Sequence, residues 1–349
     1  MKFTRKRQFK IGVVGLGFGA SVHAPALIGL SDVDVVGIAG RTIAKAQKVA
    51  KSIGIPKGYG SIEELLNQDL DAITLALPPD QVTKYVKTAI NYRVPILCEK
   101  PFGTDASVSK KISLNTNDLT NGINFLFAEL KTFSYLKKVI DNGKYGKVRH
   151  ANLLWLHESW VHRKKISSWK INSEKQGGVI SLLGSHVFYL LEWLFGSAKN
   201  VHANAICTNT NFDVPVNFHL AEDLVSCRFK LTSGILFNCT FGNANPGISI
   251  HRWTIVFDNC TIIVENNKHD YTDFTLKILS TNSRAQILKE PFYRGDGRIP
   301  AFRCLAQRFI NSVTSGSSFQ PDFTAGARVQ FIDEKVRMSA QLNKSVDLD

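Results

Sequence analysis

Short apolar runs and helical stripes alternate along the first third of the chain. The run "KIGVVG" (residues 10–15) reads as a buried strand and "DVDVVGIAG" (32–40) as a second; one helix fits between them, the length a parallel crossover needs. "AKAQKVAKSIG" (44–54) carries alanine and lysine at helical spacing and stops at Gly54 and Pro56. "SIEELLN" sets Ser61 three residues before Glu64, a capping box that predicts a helix start. "DAITLALPP" (71–79) is a strand halted by two prolines, "QVTKYVKTAINY" (81–92) a helix and "VPILCEKP" (94–101) a strand ending on charge; "INFLFAE" (123–129) closes the series. This alternation predicts an α/β fold with a doubly wound parallel sheet and helices on both faces.

Beyond residue 128 the pattern changes, which predicts one unit over 1–128 and a second, of α+β type, over 129–349. "FSYLKKVIDNG" (133–143) is a helix ended by Gly143, "KVRHANLLWLH" (147–157) alternates like a strand, and "GGVISLLGSHVFYLLEWLFG" (177–196) is an apolar helix led by two glycines. From Val201 to Glu265 period-two strands surround turns at Thr232-Ser233-Gly234 and Asp258-Asn259, an antiparallel sheet. Two helices, 297–316 and 324–342, close the chain.

At 349 residues two domains are expected, and 44% hydrophobic with 21% charged residues is an ordinary globular composition. Gly, Ser, His or Glu interrupts every apolar run before the roughly 18–20 residues of a membrane helix, so no span is expected. The start "MKFTRKRQFKIGVVG" imitates a signal peptide, but Gly12, Gly15, Gly17 and Gly19 break its apolar core, and a strand with a phosphate loop fits these residues better. Cys98, Cys207, Cys227, Cys239, Cys260 and Cys304 are scattered without a CxxC; they read as reduced, buried thiols of a cytoplasmic protein, with no metal site. The net charge is +14, but Lys2, Arg5, Lys6, Arg7 and Lys10 share one short tail, and no basic helix or aromatic RNA-binding signature follows. A surface that attracts phosphorylated small molecules is the simpler reading than nucleic acid.

"GVVGLGFGA" holds Gly15, Gly17 and Ala20 in the G-x-G-x-x-G/A spacing, between a strand and a helix. The first glycine permits a tight turn, the second lets backbone approach a pyrophosphate, and the small third residue lets helix and strand pack closely; the helix N-terminus adds N–H donors. At the end of the second strand, where an acid would bind the ribose 2′-hydroxyl of NAD, the chain reads Gly40, Arg41 and Thr42. Arg41 can pair with a 2′-phosphate, which favours NADP over NAD; a surface arginine at a helix start is the other reading.

"CEKPFG" brings Glu99 and Lys100 to the carboxyl edge of the sheet, where ligands of such folds bind, and Pro101 ends the ladder there. A lysine in that place can hold or protonate the oxygen that gains charge during hydride transfer at a carbonyl carbon. A solvated lysine paired with Glu99 is the alternative, and local features alone leave both open.

In this order the pieces resemble the glucose-fructose oxidoreductase, inositol dehydrogenase and rhizopine-catabolism (Gfo/Idh/MocA) family. The resemblance rests on "GVVGLGFGASVHAPAL" (12–27), "ALPP" (76–79), "CEKPFG" (98–103), "GKYGKVRHANLLW" (143–155), the glycine-led helix 177–196 and "GDGRIPAFRCLAQRF" (295–309). It implies an N-terminal Rossmann domain, a C-terminal domain on a large open antiparallel sheet, and homodimers or homotetramers formed through that sheet. It implies NAD(P)-dependent hydride transfer to or from a hydroxyl or keto carbon of a sugar, cyclitol or sugar nucleotide. Cofactor contacts are expected from Gly15, Leu16, Gly17, Phe18, Gly19, Ala20, Arg41, Thr42, Leu77, Pro78, Glu99 and Lys100. Lys100 matches the lysine of the family's E-K-P motif, and His186 matches the histidine that serves many members as general acid/base.

The chain also departs from the pattern. The family often carries an Asp four residues before this histidine and an acid three residues after it; here those positions are Leu182 and Tyr189. On a regular helix residues 182, 186, 189 and 193 share a face, so His186 is expected to look out between Leu182, Tyr189 and Trp193. A lone histidine on an apolar face also reads as a core residue. Around the same chemistry His157, Glu158, Trp169, Lys170 and Tyr189 are candidates to touch a sugar, against the reading of a polar loop. The rival to an enzyme is a catalytically silent, cofactor-binding regulator of the same fold, motivated by the missing acids.

Overall fold

Strand β1 (Phe9–Val14) lies between β2 (Val33–Ala39) and β4 (Ala72–Leu75), and all three are parallel. With β3 (Gly58–Tyr59), β5 (Ile96–Cys98) and β6 (Asn121–Ile123) they form a six-stranded sheet of order β3-β2-β1-β4-β5-β6. All four residues of β4 are buried, as a strand covered on both faces requires. The strand order reverses at β1 and β4, the place where ligands of doubly wound sheets bind. This computed structural model describes residues 7–349 apart from 117, 269 and 282, so Lys2, Arg5 and Lys6 of the basic tail lie outside the described residues.

The chain divides into two units, one running to Leu126 and taking up Arg298–Arg328, the other made of Phe127–Gly297 and Val329–Asp349. In the first unit the helix Arg298–Ser315 shares a core with the β1–β2 face: Phe302, Leu305 and Phe309 are fully buried with Ile11, Val22, Leu27 and Ile38. Each phenylalanine removed from water contributes about 1.5–3 kcal/mol. The expected caps are present. Ser61 Oγ accepts from Glu64 N at 3.1 Å, although the Glu64 carboxylate returns to Gly60 N (2.9 Å) rather than to Ser61, and Gly54 closes the helix Ile43–Ile53 at φ 74°.

The second unit is a nine-stranded sheet. Its strands are β7 (Val148–Glu158), β8 (Ala198–Ile206), β9 (Leu224–Leu231), β10 (Leu236–Gly242), β11 (Ala244–Phe257), β12 (Thr261–Asn266), β13 (Thr275–Ser280), β14 (Ser283–Lys289) and β15 (Val346–Asp347). Their order is β14-β13-β12-β11-β7-β10-β9-β8-β15. One face is apolar because every second residue is: Val225, Cys227, Phe229 and Leu231 on β9 are buried, while Ser226, Arg228 and Lys230 are exposed. The helix Ser185–Phe195 covers that face, with Phe188 set against Phe229 and Phe241 at ring separations of 5.9 and 6.2 Å.

Several expectations are corrected. The sheet is mixed, since β7 and β10 run parallel; alternation fixes which face a residue occupies but not the direction of its neighbour. "INFLFAE" closes the series only in part: β6 ends at Ile123, Asn124 N still donates to Cys98 O of β5 at 2.8 Å, and Leu126–Glu129 is a 3₁₀ turn. The helix carrying His186 opens with a π-turn, Ile180–Gly184, whose i to i+5 repeat breaks the four-residue spacing used to set Leu182 below His186. Cys304 is exposed and Cys207 half-buried, so four of the six thiols are buried. Among the described residues one segment, Ser173–Phe195, holds an 18-residue stretch apolar enough by composition to cross a membrane, with mean hydropathy 1.5, and 78% of that stretch is buried.

Candidate functional site

The glycine loop sits at the carboxyl end of β1. Gly15 has φ +117°, and a Cβ there would stand 2.2 Å from the Ala76 carbonyl oxygen, so only glycine fits. Gly17 is the opposite case: it is exposed, and nothing lies within 4 Å of where its Cβ would be. Among the described residues no packing requires that glycine, whereas close approach of a pyrophosphate would. Gly19 packs on Val13 and Ala20 is buried, so both small residues serve the contact between helix and strand. The residues present therefore fit a dinucleotide.

Leu16 lies over Gly40, where a Cβ would meet it at 2.5 Å, and Phe18 carries the Arg298 guanidinium 5.0 Å from its ring. Arg41 and Thr42 are exposed, and Thr42 begins the helix Ile43–Ile53 in extended conformation with no side-chain cap. Leu77 and Pro78 follow β4, half-buried, with Pro78 at the N-cap of the helix Pro79–Asn91.

Two strands from β1, β5 delivers Glu99 and Lys100 to the same edge. Glu99 N donates to Leu75 O at 2.8 Å, and the Glu99 side chain turns inward, its Oε1 facing His23 Nε2 at 3.0 Å and accepting from Asn124 Nδ2. Lys100 is half-buried, followed by Pro101 across a cis bond and by the buried Phe102.

In the second unit His186 is 7% exposed, with its ring edge-on to Phe127 (4.7 Å) and 6.4 Å from Trp155. Tyr189 stacks on Trp193 at 6.4 Å. The two leading glycines are explained by close backbone. A Cβ on Gly177 would meet Trp169 O at 2.4 Å, and one on Gly178, at φ +93°, would meet Glu222 Oε1 at 2.3 Å. Trp169 and the exposed Lys170 thus dock on the lead of the His186 helix, with Gly178 N donating to Lys170 O at 2.9 Å.

A charge cluster that local motifs do not reveal, with Asp333 buried and Arg337 and Glu222 largely so, clamps the same lead. Arg337 donates to Asp333 Oδ1 (2.9 Å), Glu222 Oε2 (2.8 Å), Ser181 Oγ (2.9 Å) and Gly177 O (3.2 Å). Ser181 Oγ donates to Asp333 Oδ2 (2.7 Å), and Ile180 N to Glu222 Oε1 (3.0 Å). Burial opposes the charge on Arg337, but Asp333 and Glu222 outweigh it and hold the guanidinium ionised. Burial also pushes Glu222 above the usual carboxylate range.

Near His186, at the end of β7, is a cavity of about 220 Å³ lined by Trp155, His157, Glu158, Trp160, Arg163, His251 and Tyr271, among others. Trp155 is shared with the His186 surroundings and stacks on His251 at 3.9 Å. Burial, and after it the charge of His157, push His251 well below its ordinary value. Trp160 and Tyr271 are exposed, at 63% and 44%. Trp169, Lys170 and Tyr189 are not among the cavity's lining residues, whereas His157 and Glu158 are. Sequence reasoning missed His251, in the middle of β11, and Tyr271, in the loop between β12 and β13; a lone aromatic ring in a strand or loop is shared by many core positions and singles out neither.

Residues 9–115 match the family model described as "Oxidoreductase family, NAD-binding Rossmann fold", and residues 133–263 match the GFO/IDH/MocA C-terminal domain. An uncharacterised oxidoreductase of Synechocystis sp. is 32% identical over 206 residues, 58% of this chain and 55% of that protein. Glucose-6-phosphate 3-dehydrogenase of Bacillus subtilis is 26% identical over 207 residues, 58% of each. The chain thus matches a little over half the length of these relatives. The solved levoglucosan dehydrogenase in complex with NADH and levoglucosan has a TM-score of 0.88 at 17% identity, over 98% of this chain and 100% of that one, a likeness of fold. With both family models matched in sequence, over more than half of its length, and the fold shared throughout, the chain belongs to the GFO/IDH/MocA oxidoreductase family.

Proposed function

We propose that the protein is an NAD(P)-dependent oxidoreductase, with NADP preferred, that moves a hydride to or from a hydroxyl or keto carbon of a sugar, cyclitol or sugar nucleotide. The observation that carries this reading is that one sheet edge presents both the glycine loop after β1 and Lys100 after β5. The nicotinamide, when bound, supplies or accepts the hydride. The bare backbone of Gly15 to Gly17 holds the pyrophosphate, and Lys100 stabilises or protonates the substrate oxygen. His186 assists proton transfer and helps hold the substrate.

Arg41, exposed at the end of β2 with no acid beside it in sequence, supports NADP. Titration of reduced-cofactor fluorescence tests this. Arg41→Ala weakens NADPH by about 10- to 100-fold, the range of a hydrogen bond to a charged group, and leaves NADH unchanged. Equal effects on both cofactors contradict it.

The cavity beside Trp155 supports a neutral, polyhydroxylated ring over a phosphomonoester. Its cations already have carboxylate partners, Arg163 with Glu158 at 3.0 Å and Lys268 with Asp273, while Trp160 and Tyr271 offer faces on which a sugar ring can stack. Following the reduced-nicotinamide absorbance over neutral sugars, cyclitols, sugar phosphates and sugar nucleotides tests the reading. Turnover of neutral substrates supports it. A protein that binds cofactor and turns over none of them is instead the silent regulator that Leu182 and Tyr189, in place of acids, suggest.

A further inference from the structure

A single carboxylate oxygen in the first unit ties together three separate pieces of chain. Glu99 Oε1 accepts from His23 Nε2 at 3.0 Å and from Asn124 Nδ2. His23 lies in the turn Gly19–His23 that continues the glycine loop, Asn124 follows β6, and Glu99 follows β5 and immediately precedes Lys100. His23 and Asn124 are fully buried and Glu99 is 8% exposed. The His23 ring is held on its face by Phe302 (3.9 Å, 9° between planes) and at its edge by Phe18 (5.5 Å). Facing a carboxylate, Nε2 is the nitrogen that carries the proton.

This arrangement is not the most stable way to fill the space. His23 Nδ1 and Asn124 Oδ1 are buried and have no hydrogen-bond partner among the described residues, and an unpaired buried polar atom is a cost to folding. An apolar filling avoids that cost, so the polar triad has a use other than stability. On the other side of Lys100, Phe102 is 3% exposed, packs on Phe323 at 4.4 Å, and its carbonyl accepts from Ser109 Oγ at 2.5 Å. Lys100 therefore stands between two buried anchors, Glu99 and Phe102.

We propose that His23 and Asn124 are positioning residues: through Glu99 they fix where Lys100 stands relative to the glycine loop. The proposal rests on the reading of Lys100 as the residue set against the nicotinamide. Its leverage is distance, since a misplacement of about 1 Å can cost about 100-fold in rate.

Two readouts on the full chain test it: acetylation of Lys100 by acetic anhydride, measured by mass spectrometry with and without saturating NADPH, and kcat alongside the cofactor KM. In wild type NADPH protects Lys100. His23→Leu loses the protection and about 10- to 100-fold in kcat with little change in cofactor KM. His23→Gln, which returns an N–H close to the Nε2 position, recovers most of both. Asn124→Ala repeats the loss from the other side and carries the test if His23→Leu does not fold. Unchanged protection and kcat in the folded variants, or His23→Gln as damaging as His23→Leu, overturns the proposal. Absence of protection in wild type overturns the assignment of Lys100 itself, and this proposal with it.

Discussion

Gly15 and Ala76 approach so closely that no side chain can stand between them: a Cβ on Gly15 would lie 2.2 Å from the Ala76 carbonyl oxygen. The contact joins the ends of β1 and β4, where the strand order reverses. Gly15→Ala must therefore shift one strand end, and NADPH affinity is expected to fall, because the phosphate loop moves with it. Gly54→Ala is the control. Its φ is +74° with open space around it, so it costs only the left-handed backbone strain of about 1–2 kcal/mol and leaves binding intact. Fluorescence titration with calorimetry separates the two, and equal binding by both variants contradicts the steric account.

Arg337→Met leaves Glu222 and Asp333 buried without their shared cation. Breaking a buried ion pair from one side costs about 3–5 kcal/mol, which for a unit of this size lowers Tm by about 6–20 °C. The pH dependence has a definite sign. Burial already raises Glu222, and removing the guanidinium raises it further, so the variant's deficit is largest at neutral pH and shrinks as pH falls and the carboxyl takes up a proton. A deficit that grows toward acid pH contradicts the cluster's role.

His251 gives a second pH test. Its pKa lies well below the ordinary 6.5, so the folded chain keeps the ring neutral where the unfolded chain protonates it. That contribution to stability is full above about pH 6.5 and is lost as pH falls through it, at up to about 1.4 kcal/mol per pH unit. Urea unfolding of His251→Gln between pH 7 and 5 should show a shallower slope than wild type. Identical slopes contradict the assignment.

The sheet of the first unit is legible in the sequence because its strands are short apolar runs stopped by Gly, Pro or charge, as "DAITLALPP" is. The return of Arg298–Arg328 to that unit is not: a helix displays its apolar stripe in sequence but not the surface that the stripe covers. The β13–β14 hairpin is not legible either: each alternating run, Leu276-Lys277-Ile278 and Arg284-Ala285-Gln286-Ile287, is only three or four residues long. At the candidate site, the glycine loop after β1 was legible from the spacing of Gly15, Gly17 and Ala20, whereas local features left Lys100 open and only the family resemblance singled it out. The partners of Glu99 and Arg337 were not legible, because His23 is 76 residues from Glu99 and Glu222 is 115 from Arg337, and no local pattern encodes such pairings.

The central claim is hydride transfer served by Lys100, and the most direct measurement is the reduced-nicotinamide absorbance of wild type and Lys100→Ala on the same turned-over substrate, with cofactor affinity measured in parallel. Loss of a group that stabilises or transfers the proton costs about 100- to 10,000-fold, so the account predicts turnover reduced by that factor with cofactor binding largely intact. Undiminished turnover in Lys100→Ala would contradict it.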